Sequence, residues 1–273
     1  MSCKLMIGVM LHLREGDPDE AMAKVQSLGL PSCQLGWPPS ATIETGHALK
    51  AAAEAHNVTV TTLWASLPGP AVWNFTEGPS TIGLVPDEWR AERVKALQAA
   101  AAVAGEIGIA SITTHCGFIP EWPGDRKYIE TVAALKDVLA ACTDNGVQFW
   151  YETGQETPIT LLRTIEDVGY DNQGINLDPA NILMYGNGNP VDALDVFGTW
   201  VRGVHAKDGE YPTNGKDLGH EKPMGEGRVN FPVLVPKLKS MGYCGALTIE
   251  REISGDKQVD DIKAAMAILE PLC

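Results

Sequence analysis

The stretch Phe149-Trp150-Tyr151-Glu152 is a short hydrophobic run that ends on a potential metal ligand. Three more runs of the same kind follow it along the chain: Ile175-Asn176-Leu177-Asp178, Val201-Arg202-Gly203-Val204-His205 and Leu247-Thr248-Ile249-Glu250. Each run has the pattern of a buried strand, and each polar residue lies where that strand would give way to a loop. Three carboxylates and one imidazole in these positions predict a site for one divalent cation.

Strand-like and helix-like segments alternate along the whole chain. We predict eight strands, at residues 5–10, 32–36, 58–63, 109–114, 147–152, 174–178, 201–205 and 246–250. Helix signals lie between most of them, such as Asp17-Pro18, an N-cap followed by proline at the first helical position. Further helices are predicted at residues 42–56, 87–104, 131–141, 158–168, 191–200, 231–241 and 258–269.

Eight βα units in one chain predict a closed parallel barrel, the α/β class known as the (β/α)8 or TIM barrel. The 273 residues suit a single barrel domain over residues 1–273. An open doubly wound sheet is the alternative, but the first strand is not followed by Gly-x-Gly-x-x-Gly. In a closed barrel the carboxyl ends of the strands converge, and four uncompensated polar groups there would be costly without a cation or mutual pairing.

Composition limits the classes of function. The chain is 44% hydrophobic with a formal net charge of −14, which disfavours a nucleic-acid partner because such a surface needs clustered Lys and Arg. We find neither a membrane span nor a signal peptide, since Met1-Ser2-Cys3-Lys4-Leu5 leads directly into a strand. We therefore expect a cytoplasmic protein with no membrane partner, whose six scattered cysteines are reduced thiols.

Two connections are longer than a barrel needs. They span residues 65–86 and 207–230 and are rich in glycine and proline. Both would lie at the carboxyl end of the barrel strands, where the active sites of this architecture are built. Long loops in compact domains are usually functional or mobile, so we predict that these two form walls or lids over a pocket.

The chain carries an ordered set of motifs. They are Glu152-Thr-Gly-Gln-Glu156-Thr157, Asn176-Leu-Asp178-Pro-Ala-Asn181, His205-Ala-Lys207-Asp208-Gly209, Gly225-Glu-Gly227-Arg-Val-Asn-Phe231 and Thr248-Ile-Glu250. This set resembles the sugar phosphate isomerase/epimerase family of the xylose isomerase-like barrel superfamily. The superfamily also includes ketose 3-epimerases, inosose dehydratase and endonuclease IV-type DNA repair enzymes. The resemblance covers essentially the whole chain.

The resemblance implies roles for several of these residues. Glu152, Asp178, His205 and Glu250 match the family's metal ligands. Glu152 and Glu250 also match the two glutamates that face each other across the substrate in the epimerase branch, so we predict that they are the acid/base pair. His115, after the fourth predicted strand, matches a histidine near the substrate.

The remaining site candidates depend on weaker signals. Strand alternation places Lys207 on the same side as His205, where it would bind a substrate oxygen together with Gln155. The alternative is a surface pair of Lys207 with Asp208, or a loop anchor. Arg228 is a candidate for a substrate phosphate or carboxylate, or for a pair with an acid on the rim. Trp37 and Trp64 would offer apolar faces to a sugar ring, or simply pack in the core.

The preferred function is a divalent-metal-dependent sugar isomerase or epimerase that removes a proton next to a carbonyl through an enediolate. The alternative on the same site is a dehydratase (a lyase) of a keto-cyclitol or sugar acid. A non-catalytic sugar-binding barrel stays open, and an endonuclease is disfavoured because Asn181 replaces the histidine of the DNA repair motif. One ion of Mn²⁺ or Mg²⁺ suits the ligands best, with Co²⁺ or Zn²⁺ also acceptable. The expected partner is a small-molecule sugar, and the resemblance implies a homo-oligomer, a dimer or a tetramer.

Overall fold

Eight parallel strands form a closed barrel, in a computed structural model that describes residues 4–13 and 16–273. The strands of this part of the chain are β1 (Met6–His12), β2 (Ser32–Trp37), β3 (Thr59–Ala65), β4 (Ser111–His115), β5 (Gln148–Glu152), β6 (Gln173–Leu177), β7 (Val201–Ala206), β8 (Asp208–Gly209), β9 (Glu221–Lys222) and β10 (Ala246–Ile249). Around the barrel the order is β1-β10-β7-β6-β5-β4-β3-β2, while β8 and β9 form a separate antiparallel pair. The predicted eight-stranded barrel is therefore confirmed.

Helices connect the strands and cover the outside of the barrel. They are α1 (Pro18–Ser27), α2 (Ile43–His56), α3 (Gly78–Thr81), α4 (Asp87–Ile107), α5 (Arg126–Asp144), α6 (Pro158–Val168), α7 (Pro179–Met184), α8 (Pro190–Phe197), α9 (Phe231–Ser240) and α10 (Asp256–Leu269). Short 3₁₀ turns follow α8 and α10, at Gly198–Trp200 and Glu270–Leu272. Among the described residues, no helix combines the length and the apolar character needed to cross a membrane.

The capping side chains explain where the helices differ from their prediction. The predicted helix at 131–141 begins earlier, at Arg126, because the Asp125 carboxylate accepts a hydrogen bond of 2.7 Å from the backbone N–H of Lys127. The short helix α7 was not predicted. It begins directly after Asp178, whose Oδ1 accepts from the Asn181 N–H at 2.8 Å. Asp178 is thus a helix cap as well as a candidate ligand.

The loop at 65–86 is held against the barrel by one buried arginine. Arg93 of α4 is 1% exposed and donates to three backbone carbonyls, those of Pro68 at 2.9 Å, Gly83 at 2.7 Å and Pro70 at 2.8 Å. These carbonyls satisfy three of the five N–H groups of the buried guanidinium, which lowers the cost of its burial. The loop is therefore an ordered wall at the carboxyl end of the strands, as predicted.

The loop at 207–230 is held by a buried carboxylate. Asp208 Oδ2 accepts from the backbone N–H groups of Gly225 and Gly227 at 2.9 and 3.1 Å. Its Oδ1 accepts from Gly209 and Val229 at 2.9 and 3.1 Å. The predicted alternative of a surface pair between Lys207 and Asp208 is wrong, because Asp208 is satisfied by backbone donors.

The cysteines differ in part from the expectation of reduced thiols. Cys33, Cys116, Cys142 and Cys273 are free, and the first three are buried. Burial raises the pKa of Cys33 and Cys142 to about 12, so both stay protonated at neutral pH. For Cys244 the expectation is wrong, since this residue is disulfide-bonded.

Candidate metal centre

Four side chains from adjacent barrel strands meet at the carboxyl end of the barrel. Glu152 is the last residue of β5, His205 lies one residue before the end of β7, and Asp178 and Glu250 directly follow β6 and β10. One potential ligand atom from each lies within 4.8 Å of all the others. His205 Nδ1 is 3.0 Å from Glu152 Oε1, 3.1 Å from Glu250 Oε2 and 3.9 Å from Asp178 Oδ2. The four residues predicted from the sequence as ligands are therefore close enough to share one cation.

The buried atoms of this cluster fit a metal ion. His205 Nδ1 and Asp178 Oδ2 are buried, yet neither makes a hydrogen bond of acceptable geometry with the described residues. On the other side of the ring, His205 Nε2 lies 2.8 Å from Gln34 Oε1. Because an amide oxygen only accepts, Nε2 carries the proton and Nδ1 can offer its lone pair to a cation. Oxygen-rich sites with one imidazole suit Mn²⁺ or Mg²⁺.

Gln34 is itself held in place by a residue on the opposite side of the barrel interior. Its Nε2 donates to Asn176 Oδ1 at 2.8 Å, which leaves Oε1 directed at His205. Both Gln34 and Asn176 are almost completely buried. A partner of this kind sets the tautomer and ring orientation of a metal-binding histidine.

Replacing Gln34 by methionine is expected to weaken metal binding by about 10- to 100-fold, because the acceptor for the His205 Nε2–H is lost. Calorimetric titration with Mn²⁺ measures the change. Thr62→Val serves as the matched control, since Thr62 is equally buried in the barrel and its hydroxyl donates only to the Ser111 carbonyl, at 3.0 Å. Equal metal affinity in Gln34→Met and the control would contradict the role of Gln34.

Protons and Lys207 balance the carboxylates when no cation is bound. Burial raises the pKa of Asp178 to about 7. Burial opposes a charge on His205, but Glu250 and Glu152 outweigh it and raise the pKa of this imidazole well above its usual value. Burial also acts to raise the pKa of Glu250, yet Lys207 and His205 hold it well below its usual range. The metal-free cluster is therefore expected to carry protons on His205 and, near neutral pH, on Asp178.

Metal affinity is expected to rise with pH, because a cation must displace these protons. One released proton corresponds to about tenfold in affinity per pH unit. The release from His205 applies at and above pH 7, and protonation of Asp178 adds to it below its pKa of about 7. Titration with Mn²⁺ at pH 6, 7 and 8, in two buffers of different ionisation enthalpy, counts the protons. An affinity that is independent of pH would contradict the protonated resting state.

Lys207 lies inside the cluster. It is 2% exposed, and its Nζ is 3.1 Å from Asp178 Oδ2, 3.2 Å from Glu250 Oε2 and 3.1 Å from Glu252 Oε1. Strand alternation correctly predicted that it lies on the same side as His205. Three carboxylates therefore hold the ammonium group within the cluster.

A cavity of about 520 Å³ opens beside the cluster. Trp64, His115 and Glu152 are among the residues that line it. The Trp64 indole N–H donates to Glu152 Oε2, and His115 Nε2 is 3.5 Å from Glu152 Oε1. Burial lowers the pKa of His115, and its Nδ1 has no hydrogen-bond partner among the described residues. The Trp73 ring from the 65–86 loop meets the His115 ring edge-on, with centroids 5.0 Å apart. Further lining residues are His12, Leu67, Ile82, Asn181, Met184, Tyr185, Leu218, Glu250 and Glu252.

Three other candidates from the sequence lie outside the cavity lining. Gln155 is buried with both amide atoms lacking a partner among the described residues. Trp37 is 3% exposed and packs in the hydrophobic core. Arg228 is exposed on the outer loop. The positions of Trp37 and Arg228 give no support to the substrate-binding roles predicted for them.

Several residues of the site were not identified from the sequence. His12 was given no role but lines the cavity, as do Tyr185 and Glu252. Gln34 carried a usable signal, because a polar residue in the middle of the short apolar run of β2 must find a buried partner. Tyr185 and Glu252 lie beyond the strand ends, so their approach to the cavity depends on loop paths that strand patterns do not describe.

The parallel barrel and its ligand cluster define a class, the (β/α)8 barrels with a candidate divalent metal centre at the carboxyl ends of the strands. The chain belongs to the family described as xylose isomerase-like TIM barrel, which matches residues 22–272. A xylose isomerase domain protein from Planctomyces limnophilus is 34% identical, with a TM-score of 0.92 over 98% of this chain and 97% of that one. An uncharacterized protein of Methanocaldococcus jannaschii is 30% identical over 155 residues, 52% of this chain, and the match spans only 50% of that relative.

More distant structures share the fold. The 3-keto-D-glucoside 4-epimerase of E. coli is 16% identical, with a TM-score of 0.71 over 98% of this chain and all of that one. A xylose isomerase-like TIM barrel protein from Mycobacterium smegmatis, solved in complex with magnesium, is 13% identical, with a TM-score of 0.70 over 98% of each chain. At these identities the likeness establishes the fold alone. The cytoplasmic location and the homo-oligomer stay predictions.

Proposed function

We propose that this protein is a divalent-metal-dependent sugar isomerase or epimerase that moves a proton on a carbon next to a carbonyl. One observation carries the proposal: two glutamates, Glu152 and Glu250, approach His205 Nδ1 within 3.0 and 3.1 Å at the floor of a cavity large enough for a sugar. Two carboxylates at one reacting centre are what a proton transfer between two positions requires. The sugar epimerases that share the fold support the same class of reaction.

Glu152, Asp178, His205 and Glu250 would hold the cation. When bound, it supplies Lewis-acid polarisation of a substrate carbonyl and its adjacent hydroxyl, which acidifies the neighbouring C–H bond. Asp178 is suited to be a ligand only, since it is fully buried and its Oδ1 already caps α7. The acid/base work is therefore assigned to the two glutamates.

Glu250 is the proposed base. Burial acts to raise the pKa of its carboxyl, but Lys207 and His205 hold that pKa well below the usual range, so Glu250 is ionised and able to accept a proton. Glu152 is oriented by the Trp64 indole N–H and lies beside His115. Epimerisation requires Glu152 to be protonated while the substrate is bound: Glu250 then takes the C–H proton from one face, and Glu152 gives its own proton to the opposite face of the same carbon. If a proton returns to the neighbouring carbon, the result is isomerisation.

The groups around the two glutamates would stabilise the enediolate that the base creates. The Lys207 ammonium lies 3.2 Å from Glu250 Oε2, where it would face the negative oxygen of the intermediate. Neutral His115 would offer a hydrogen bond to a substrate hydroxyl. Trp64 and Trp73 supply aromatic faces for the apolar C–H surface of a sugar.

The test is deuterium exchange in D₂O with Mn²⁺-loaded protein and a panel of ketoses, read by NMR and mass spectrometry. The proposal is supported if deuterium enters the sugar at the carbon next to the carbonyl and the mass does not fall by that of one water molecule. Glu54→Gln, an exposed carboxylate on α2, is the matched control and keeps full exchange. Loss of water with a conjugated chromophore would replace the proposal with a dehydratase. Sugar binding without any exchange would replace it with a non-catalytic sugar-binding protein.

A further inference from the structure

One more carboxylate, outside the candidate ligand set, lies close to the proposed acid/base pair. Glu252 follows Glu250 by two residues, lines the cavity, and places Oε1 3.1 Å from Lys207 Nζ. The backbone at Glu252 is held in place, because its N–H donates to both oxygens of the Glu221 carboxylate, at 3.1 and 3.2 Å. Glu221 is in turn paired with Arg251 at 2.7 Å. Glu252 is thus held over the cluster although its side chain is 57% exposed.

The charges around the cavity determine which substrates it can accept. The carboxylates of Glu152, Asp178 and Glu250 exceed a divalent cation by one negative charge, and Lys207 restores neutrality. Among the cluster residues and Lys207, Glu252 then adds one excess negative charge, which lies at the exposed side of the loaded cluster. An incoming anion meets this charge before it meets the cation.

The described cationic side chains at the cavity are already engaged. The guanidinium of Arg93 contributes to the cavity wall but donates to three backbone carbonyls. Lys207 is held by three carboxylates. Arg228, which the sequence nominated for a substrate phosphate, is exposed on the outer loop. Among the residues 4–13 and 16–273, the lining therefore offers no uncommitted Lys or Arg for a phosphate group.

On the basis of the proposed sugar chemistry, we propose that Glu252 is a specificity-determining residue that reserves the cavity for uncharged hydroxy ketones and rejects their phosphorylated forms. It acts in two ways. It places a negative charge at the entrance, and it occupies the ammonium group of Lys207 that would otherwise receive an anion. Replacing Glu252 by glutamine removes the negative charge, weakens the hold on Lys207 to a neutral hydrogen bond, and keeps the size of the side chain.

The first experiment measures anion binding and needs no turnover. Inorganic phosphate is titrated into the Mg²⁺-loaded wild type, Glu252→Gln, Glu252→Asp and the control Glu54→Gln. We expect phosphate to bind Glu252→Gln about tenfold more tightly than the wild type, the effect of one partly screened charge. The difference should shrink as salt is added. Glu252→Asp and Glu54→Gln should behave like the wild type. Equal phosphate affinity in the wild type and Glu252→Gln at low salt would overturn the proposal.

The second experiment separates this inference from the proposed function. Exchange in D₂O is compared for a ketohexose and its 6-phosphate. We expect the wild type to prefer the uncharged sugar, and Glu252→Gln to reduce that preference by about tenfold. Exchange on both sugars with no preference would overturn the role of Glu252 while the isomerase proposal stands. If neither sugar exchanges, the ketose panel decides the isomerase proposal, and the phosphate titration decides the role of Glu252.

Discussion

The Glu250→Gln variant is expected to lose about 10²- to 10⁴-fold in the rate of C–H exchange, the usual cost of removing a general base. Glutamine keeps the size of the side chain and an oxygen that can face a cation, but it cannot accept the substrate proton. The loss of one negative charge next to His205, 3.1 Å away, also weakens metal binding. Exchange in D₂O, measured at saturating Mn²⁺, isolates the loss of the base.

Metal content and exchange rate must both be measured for Glu250→Gln, because the substitution affects metal binding as well as proton transfer. Asp178→Asn is the matched comparison, because it removes a carboxylate from the same cluster that the proposal treats as a ligand only. Saturating Mn²⁺ should restore much of the activity of Asp178→Asn and little of that of Glu250→Gln. Nearly full exchange by metal-saturated Glu250→Gln would refute the assignment of Glu250 as the base.

Removal of the divalent ion is expected to abolish exchange while the barrel stays folded. The core of the barrel does not depend on the cluster: it is built from fully buried apolar residues such as Leu35, Leu63 and Phe149. Without a cation, Lys207 and bound protons offset the carboxylates, so the metal-free protein keeps its fold at lower stability.

The loss of stability follows from mass action. A ligand at a hundred times its dissociation constant contributes about 2.7 kcal/mol. For a protein of this size, that corresponds to a decrease in Tm of roughly 5–10 °C on chelation. Calorimetry with and without a chelator measures the shift, and added Mn²⁺ or Mg²⁺ should restore both Tm and exchange. Undiminished exchange after complete chelation would contradict the metal-dependent mechanism.

The strand pattern predicted the barrel well because the strands are short, mostly buried hydrophobic runs bounded by turn signals. Predicted and observed strand ends differ by only a few residues, as for the strand predicted at 58–63 and observed as β3 at Thr59–Ala65. Helix ends were less predictable where a single cap decided them, as Asp125 does for α5. The short helix α7 has too few residues to show helical periodicity, so the pattern did not reveal it.

The residues around the cluster show what the strand pattern leaves open. Lys207 could be placed on the same side as His205 by alternation alone, but its pairing with Glu252 depends on the path of the chain after β10. Trp37 and Trp64 had equivalent positions after predicted strands, yet Trp37 is buried in the core and Trp64 contacts Glu152. A residue's position on a strand does not specify which neighbours surround it.

The sequence by itself determined the eight strands, the closed barrel and the four candidate ligands, because local periodicity and the convergence of parallel strand ends require no long-range information. Only the tertiary structure decided the rest. The contact from Gln34 to His205 joins residues 171 positions apart, and the loops that bring Trp73 and Glu252 to the cavity are anchored by Arg93 and Glu221. Such contacts depend on the three-dimensional packing of distant segments, which sequence spacing does not encode.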